Sequence, residues 1–196
     1  MIMLVEKELI KMLFEPQSIP DVLLITPDIH QDNRGYFLES YHFEKYSDGG
    51  INATFVQDNE AFSGKNVVRG LHYQLSHPQG KLIRCIKGII LDVAVDIRKN
   101  SDTFGQYVSN RLTSDKKEMM YVPEGFAHGY SVLSDEAIIQ YKCTDYYHPE
   151  DEYGIKWNDP ELDIQWGISQ PIISGKDSQL LPLSDVNHSY LPKKGS

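Results

Sequence analysis

The strongest constraint on this chain is a succession of short apolar or alternating segments, each closed by a turn-forming residue. Residues 22–26 end at Pro27, and residues 36–43 follow the turn Asp32-Asn33-Arg34-Gly35. Residues 54–59, 67–74, 81–87, 89–97, 106–112, 118–122, 127–133 and 137–144 continue the series. Such a period-two pattern, with a turn roughly every 8–12 residues, points to an antiparallel β-sandwich or barrel rather than a βαβ succession. In 89–97, Leu91, Val93, Val95 and Ile97 fall on one face and Asp92, Ala94 and Asp96 on the other. Gly88 separates 81–87 from 89–97, so these two are expected to pair. Residues 2–14 are expected as a short helix, with Ile2, Val5, Leu9, Met12 and Leu13 on one side, or as a strand. Beyond residue 145 the chain turns polar and proline-rich. The expectation is one domain over 1–196, with a core over 20–147, an irregular wrap over 148–190 and a loose tail from Pro192.

With 196 residues and 40% hydrophobic content, the chain can bury a core. Its formal net charge of −9 makes a nucleic-acid partner unexpected, because phosphates need a basic face. The two cysteines, Cys85 and Cys143, read as buried free thiols, with no disulfide framework and no zinc spacing. The apolar start stops at Glu6, without a basic region before it or a small-residue cleavage site after it. No stretch reaches the roughly 20 apolar residues of a membrane span. A cytoplasmic protein without a membrane partner is expected.

The charge is uneven. Residues 61–91 contain no acid but carry Lys65, Arg69, Lys81, Arg84 and Lys87, whereas residues 141–166 carry seven acids and two bases. Within the basic stretch, His72 and Gln74 share one side of a strand and Leu71 and Tyr73 the other. His72 alone is more often structural than catalytic, and Arg69 alone is more often a surface charge. Together with Lys81, and with no carboxylate between them, they suit an anionic polar ligand: Arg grips phosphate and Lys neutralises an oxyanion. Further on, Pro123-Glu124-Gly125-Phe126-Ala127-His128-Gly129 contains a Pro-x-Gly-x-x-His turn similar to the second motif of the cupins, which are small jelly-roll barrels. Where metal-binding cupins carry His-x-His, this chain reads His72-Tyr73-Gln74, and no acid occurs before Asp92. His77 is expected in an exposed turn. No metal site is expected from these positions, so a metal-dependent cupin oxygenase is the disfavoured class.

Nine stretches, in order over roughly residues 18–182, closely resemble the dTDP-4-dehydrorhamnose 3,5-epimerase family. They begin at Asp32 (Asp-Asn-Arg-Gly-Tyr-Phe), Phe55 (Phe-Val-Gln-Asp-Asn), Arg69 (Arg-Gly-Leu-His-Tyr-Gln) and Gln79 (Gln-Gly-Lys-Leu). Asp92 (Asp-Val-Ala-Val-Asp-Ile-Arg), Pro123, Tyr141 (Tyr-Lys-Cys-Thr-Asp-Tyr-Tyr), Trp157 (Trp-Asn-Asp-Pro) and Ser174 (Ser-Gly-Lys-Asp) complete them. Glu60 departs from the family, where many members carry His, and is expected to tune ligand contacts. The resemblance implies an all-β, cupin-type jelly roll without a cofactor. It also implies inversion of C3 and C5 of dTDP-4-dehydro-6-deoxy-D-glucose, a dTDP-4-keto-6-deoxy sugar. By the same resemblance His72 is the general base, Asp177 its carboxylate partner, Lys81 the group facing the enolate oxygen and Tyr141 the opposing acid. Arg69, Arg34, Gln57 and Asn59 would hold the diphosphate and nucleotide, and Tyr147 would stack on thymine. Glu39, His128, Glu152 and Lys176 match further ligand contacts. Taken without the family, Tyr141 could be a core tyrosine, Asp177 a surface turn residue and Glu152 a solvated acid. The family further implies a homodimer with exchanged N-terminal strands. A single-centre epimerase or ketoisomerase carries the same motifs, and a non-catalytic sugar-nucleotide-binding jelly roll is the reading from a different class.

Overall fold

The computed structural model describes residues 12–194. β1 (Leu13–Pro16) pairs with β2 (Leu23–Thr26), β3 (Ile29–Asp32) and β4 (Gly35–Leu38) form a separate hairpin, and α1 (Phe43–Asp48) follows. The remaining strands are β5 (Gln57–Gly64), β6 (Val68–Gln74), β7 (Lys81–Lys87), β8 (Ile89–Asp96), β9 (Tyr107–Thr113), β10 (Met119–Val122), β11 (Phe126–Val132), β12 (Glu136–Cys143) and β13 (Glu152–Gly154). They build a six-stranded sheet ordered β1-β2-β10-β7-β12-β5 and a five-stranded sheet ordered β13-β6-β11-β8-β9. The two sheets face each other in the expected all-β jelly roll, and their ladders are antiparallel.

Alternation along the strands decides which side chains fill the space between the sheets. Ile83 and Cys85 of β7, Ile90 and Ala94 of β8, Phe126 and Val132 of β11 and Ile139 of β12 pack there. The opposite face of the five-stranded sheet is also apolar: Leu71, Tyr73, Val93, Val95 and Ile97 lie beneath Ile155, Leu162, Ile164, Trp166, Leu183 and Leu191. This is the physical basis of the C-terminal wrap, because a sheet apolar on both faces needs a cover on each. Asp159 anchors the wrap, accepting the Glu161 N–H at 2.8 Å on one oxygen and the Leu183 N–H at 2.6 Å on the other. The outer face of the six-stranded sheet is covered by α1 and the segment after it, through Tyr46, Ile51 and Phe55.

Four expectations are corrected. β7 and β8 do not pair: β7 lies between β10 and β12, and β8 between β11 and β9. Gly88, at φ +84°, turns the chain from one sheet into the other, and a Cβ there would collide with the Glu136 carbonyl oxygen. The strand expected over 36–43 ends at Leu38, because His42 caps α1 and buries Tyr46 against the sheet. The strand expected over 54–59 begins at Gln57 and continues to Gly64, since its length is set by the ladder with β12. The tail is pinned through residue 194: Lys99 N–H donates to the Pro192 carbonyl at 2.8 Å, and Leu191 and Pro192 are buried. Most of the expected 2–14 helix lies outside the described residues, and its end, Leu13 and Phe14, is strand.

Because Gly88 combines a left-handed backbone with a blocked Cβ position, Gly88→Ala is expected to cost about 1–3 kcal/mol. A lowered urea midpoint at unchanged slope is the expected readout, and an unchanged midpoint would contradict the crossing geometry.

Candidate active site

A cavity of about 410 Å³ opens between the sheets. The five-stranded sheet contributes Arg69, His72 and Gln74 from β6 and His128 and Tyr130 from β11. The six-stranded sheet contributes Gln57, Asn59 and Ala61 from β5, Lys81 from β7 and Ile139 and Tyr141 from β12. Tyr147, Glu152, Ser174, Lys176 and Asp177 line the remainder from beyond the last long strand. His72 and Lys81 therefore sit on opposing sheets, although the sequence places them on successive strands.

His72 and His128 are cross-strand neighbours on β6 and β11. This close pairing is possible because the strands pass at Gly70 and Gly129; a Cβ on Gly70 would lie 2.6 Å from the Gly129 Cα. Each imidazole has a buried carboxylate behind it. His72 Nε2 lies 2.7 Å from Asp177 Oδ1, and His128 Nε2 lies 2.8 Å from Asp92 Oδ1. An ionised carboxylate only accepts, so the Nε2 proton of His72 donates to Asp177 and the free lone pair is on Nδ1. Glu152 Oε1 stands 3.7 Å from that Nδ1, beyond hydrogen-bond length. Asp177 is itself fixed: its other oxygen accepts the Gly70 N–H at 3.3 Å, and its own N–H donates to Ser174 Oγ at 3.0 Å. Burial pushes its carboxyl up, but the His72 hydrogen bond and charge and the Gly70 and Ser174 contacts outweigh that and hold it below the ordinary range.

On the facing wall, burial pushes the Lys81 ammonium down, partly offset by the negative groups around it. Burial also pushes the Tyr141 phenol up to about 12, so it carries its proton at neutral pH. Arg69 is oriented from behind, its Nε donating to Ser63 Oγ at 3.0 Å while that hydroxyl contacts Tyr130 Oη at 3.0 Å. At the mouth, Tyr147 Oη donates to Glu152 Oε2 at 2.9 Å, and Lys176 pairs with the same carboxylate. Burial raises the Glu152 carboxyl, but Lys176, His72 and Tyr147 more than offset it.

The structure thus brings together His72, Lys81, Tyr141, Asp177, Gln57, Asn59, Arg69, His128, Tyr147, Glu152 and Lys176 around one cavity. Arg34 and Glu39 are not part of it within one chain. Arg34 is on the β3–β4 hairpin, highly exposed and paired with Asp32, and Glu39 pairs with Lys45. Glu60 is also corrected: it points to the opposite face of β5 from Gln57, Asn59 and Ala61 and accepts from Gln140 Nε2 at 3.0 Å in a separate depression beside Arg84. Of the basic stretch, only Arg69 and Lys81 reach the cavity; Lys65 pairs with Asp135 and Lys87 with Glu136. His77 is half-buried rather than exposed, stacked on His148 with ring centroids 3.8 Å apart. The sequence placed Gln74 on the same strand face as His72, where it also lines the cavity, but Asp92 and Ser63 were missed as site residues. Asp92 is the one signalled in advance, as a carboxylate on the inward face of an otherwise apolar strand. Among the described residues, no group of three or more His, Cys, Asp or Glu could hold a metal ion, and no helix is long and apolar enough to cross a membrane.

A family model described as dTDP-4-dehydrorhamnose 3,5-epimerase matches residues 16–185. The dTDP-4-dehydrorhamnose 3,5-epimerase of Methanothermobacter thermautotrophicus is 46% identical over 181 residues, covering 91% of this chain and 97% of that protein. A solved structure of the dTDP-6-deoxy-D-glucose-3,5-epimerase of Legionella pneumophila, in complex with dTDP-4-keto-L-rhamnose, is 44% identical. It superposes with a TM-score of 0.92, covering 94% of this chain and all of that one. A dTDP-4-dehydrorhamnose 3-epimerase of Streptomyces niveus is less similar, at 35% identity over 92% of this chain and 88% of that protein.

The lowered Asp177 carboxyl makes a pH prediction. Its stabilising contribution is complete above the unfolded carboxyl pKa of about 3.9 and is lost as pH falls through the lower folded value. Urea unfolding between pH 6 and 2.5 should show a shallower acid limb in Asp177→Asn than in the parent. Parallel limbs would mean that Asp177 does not carry this linkage.

Proposed function

The chain belongs to the dTDP-4-dehydrorhamnose 3,5-epimerase family, and from that premise we propose how its residues invert the two sugar centres of a dTDP-4-keto-6-deoxy sugar. It is an isomerase that inverts C3 and C5 of dTDP-4-dehydro-6-deoxy-D-glucose. Both carbons flank the C4 ketone, so loss of either proton gives an enolate. His72, through Nδ1, takes the proton, and Asp177 stabilises the imidazolium that forms. Lys81 Nζ stabilises the enolate oxygen, where a preorganised donor is worth about 2.7–4 kcal/mol in comparable sites. Tyr141 delivers a proton to the other face of the carbon. The observation that carries this reading is that His72 and Tyr141 stand on opposite sheets across one cavity. Removal from one side and return from the other is inversion. Each turn leaves an imidazolium and a tyrosinate, which reset by proton exchange with water, so solvent hydrogen enters at each inverted carbon.

Arg69 grips the diphosphate, Asn59 and Gln57 border the nucleotide, and His128, Glu152 and Lys176 contact the ligand. Tyr147 presents its π-face to thymine. Arg34 and Glu39 act across a homodimer: the β3–β4 hairpin stands apart from both sheets, with Tyr36 54% and Phe37 68% exposed. In that arrangement the partner copy brings its hairpin to the cavity mouth.

Turnover of the keto sugar nucleotide in D₂O, followed by NMR, tests the chemistry. Deuterium at both C3 and C5 of an L-configured product is expected; label at one carbon only would favour a single-centre epimerase. His72→Asn should abolish exchange while nucleotide affinity stays within a few-fold, and Tyr141→Phe should admit deuterium but lower inversion. Loss of binding in the first, or normal inversion in the second, would reassign that residue. For the dimer, a light-scattering mass of two chains is expected. Equimolar mixing of Arg34→Ala with His72→Asn subunits should restore up to about a quarter of the parent activity, since about half of the reassorted dimers are mixed and each mixed dimer has one intact shared site of two; no restoration would place both residues in the same chain's site.

A further inference from the structure

The segment that carries Tyr147 is held by glutamine side chains. Gln79 Nε2 donates to the Asp145 carbonyl at 2.8 Å, and Gln74 Nε2 to the Tyr146 carbonyl at 3.1 Å. Gln57 Oε1 accepts the Tyr147 N–H at 2.9 Å, and Gln74 Oε1 the His148 N–H at 2.7 Å. Four consecutive residues thus each bind a glutamine through the main chain. No strand ladder covers this segment, and its two tyrosines are 59% and 49% exposed, so little apolar burial holds it. The clamp is rigid where it starts. Gln74 is 5% exposed at the end of β6 and also donates to the His77 carbonyl at 2.6 Å, while Gln57 Nε2 is engaged with Asn59 Oδ1 at 2.9 Å. Far out on the ring, Tyr147 Oη is tied to Glu152.

We propose that Gln57, Gln74 and Gln79 are positioning residues that set the pose of the Tyr147 ring for the nucleobase, with Gln74 the central member. This rests on the reading of Tyr147 as the base-stacking residue. A glutamine suits the task because it donates and accepts at once and carries no charge to compete with the diphosphate. Holding the ring in place before ligand arrives removes an ordering cost that binding would otherwise meet. Gln57 then acts on the nucleotide through Tyr147, its own acceptor oxygen being occupied by the segment's backbone.

The test is a double-mutant cycle on the full chain, read as dTDP affinity by calorimetry and as KM against kcat. Gln74→Leu should weaken dTDP binding and raise KM by about tenfold, with a much smaller change in kcat, the tenfold corresponding to about 1.4 kcal/mol. In a Tyr147→Ala background the same substitution should cost less than about twofold, because the ring it positions is gone. A full tenfold cost in both backgrounds, or wild-type affinity for Gln74→Leu, would overturn the clamp. Should Gln74→Leu fail to fold, Gln79→Leu, which loses only the Asp145 contact, runs the same cycle with a smaller coupled loss; additivity there would overturn it equally. If Tyr147→Ala itself binds dTDP like the parent, it is the base-stacking reading that fails.

Discussion

The apolar outer face of the five-stranded sheet is the constraint from which the site follows. Leu71, Tyr73, Val93, Val95 and Ile97 cannot be left to water, and the polar, proline-rich end of the chain contributes just enough apolar side chains to cover them. Burying Ile155, Leu162, Ile164, Trp166, Leu183 and Leu191 supplies on the order of 10 kcal/mol gross, at about 1.5–3 kcal/mol per side chain. A single His–carboxylate contact supplies far less, so Asp177 does not draw the wrap down. The wrap docks for its own reasons and, in docking, sets Asp177, Lys176 and Ser174 beside strands that carry none of them.

Electrostatics then work locally against the chain's average. A net charge of −9 describes the surface, while Arg69 and Lys81 face the cavity from opposing sheets. The two carboxylates nearest His72 have different company: Asp177 is held by backbone and imidazole, Glu152 by Lys176 and Tyr147. Neutralising Glu152 in this way leaves His72 Nδ1 open toward the cavity. Asp92 repeats the Asp177 arrangement for His128 one strand further on.

Much of the fold was legible because alternation and turn residues are local. β7 matches its expected span of 81–87, and the two faces of β8 follow its alternation. The partner of each strand was less legible: Gly88 reads as a hairpin turn, but whether such a glycine folds a strand back or sends it to a second sheet depends on Glu136 and Ser134, some 46–48 residues away. The site followed the same division. His72 and Lys81 stood out as isolated chemistry in an acid-free run with Gln74 on the same strand face as His72, and Asp92 showed only as a carboxylate on the inward face of β8, whereas Ser63 acts through its contacts with Arg69 and Tyr130 and carries no local signal. Glu60 was misread for a simple reason: period-two alternation on β5 puts it on the other face from Gln57 and Asn59, and the ladder with β12 sets that register.

The hydrogen bond between His72 and Asp177 joins residues 105 apart in the chain. Closing a loop of that length costs roughly 4 kcal/mol of chain entropy beyond a constant. The contact becomes affordable only once the sheets between the two residues have formed. Folds dominated by such non-local pairings form slowly, in milliseconds to seconds. The His72–Asp177 contact therefore depends on the assembled sandwich, because without the docked wrap the imidazole has no carboxylate behind it. For this protein, the imidazole–carboxylate pair exists only where the sheets and the wrap are both in place.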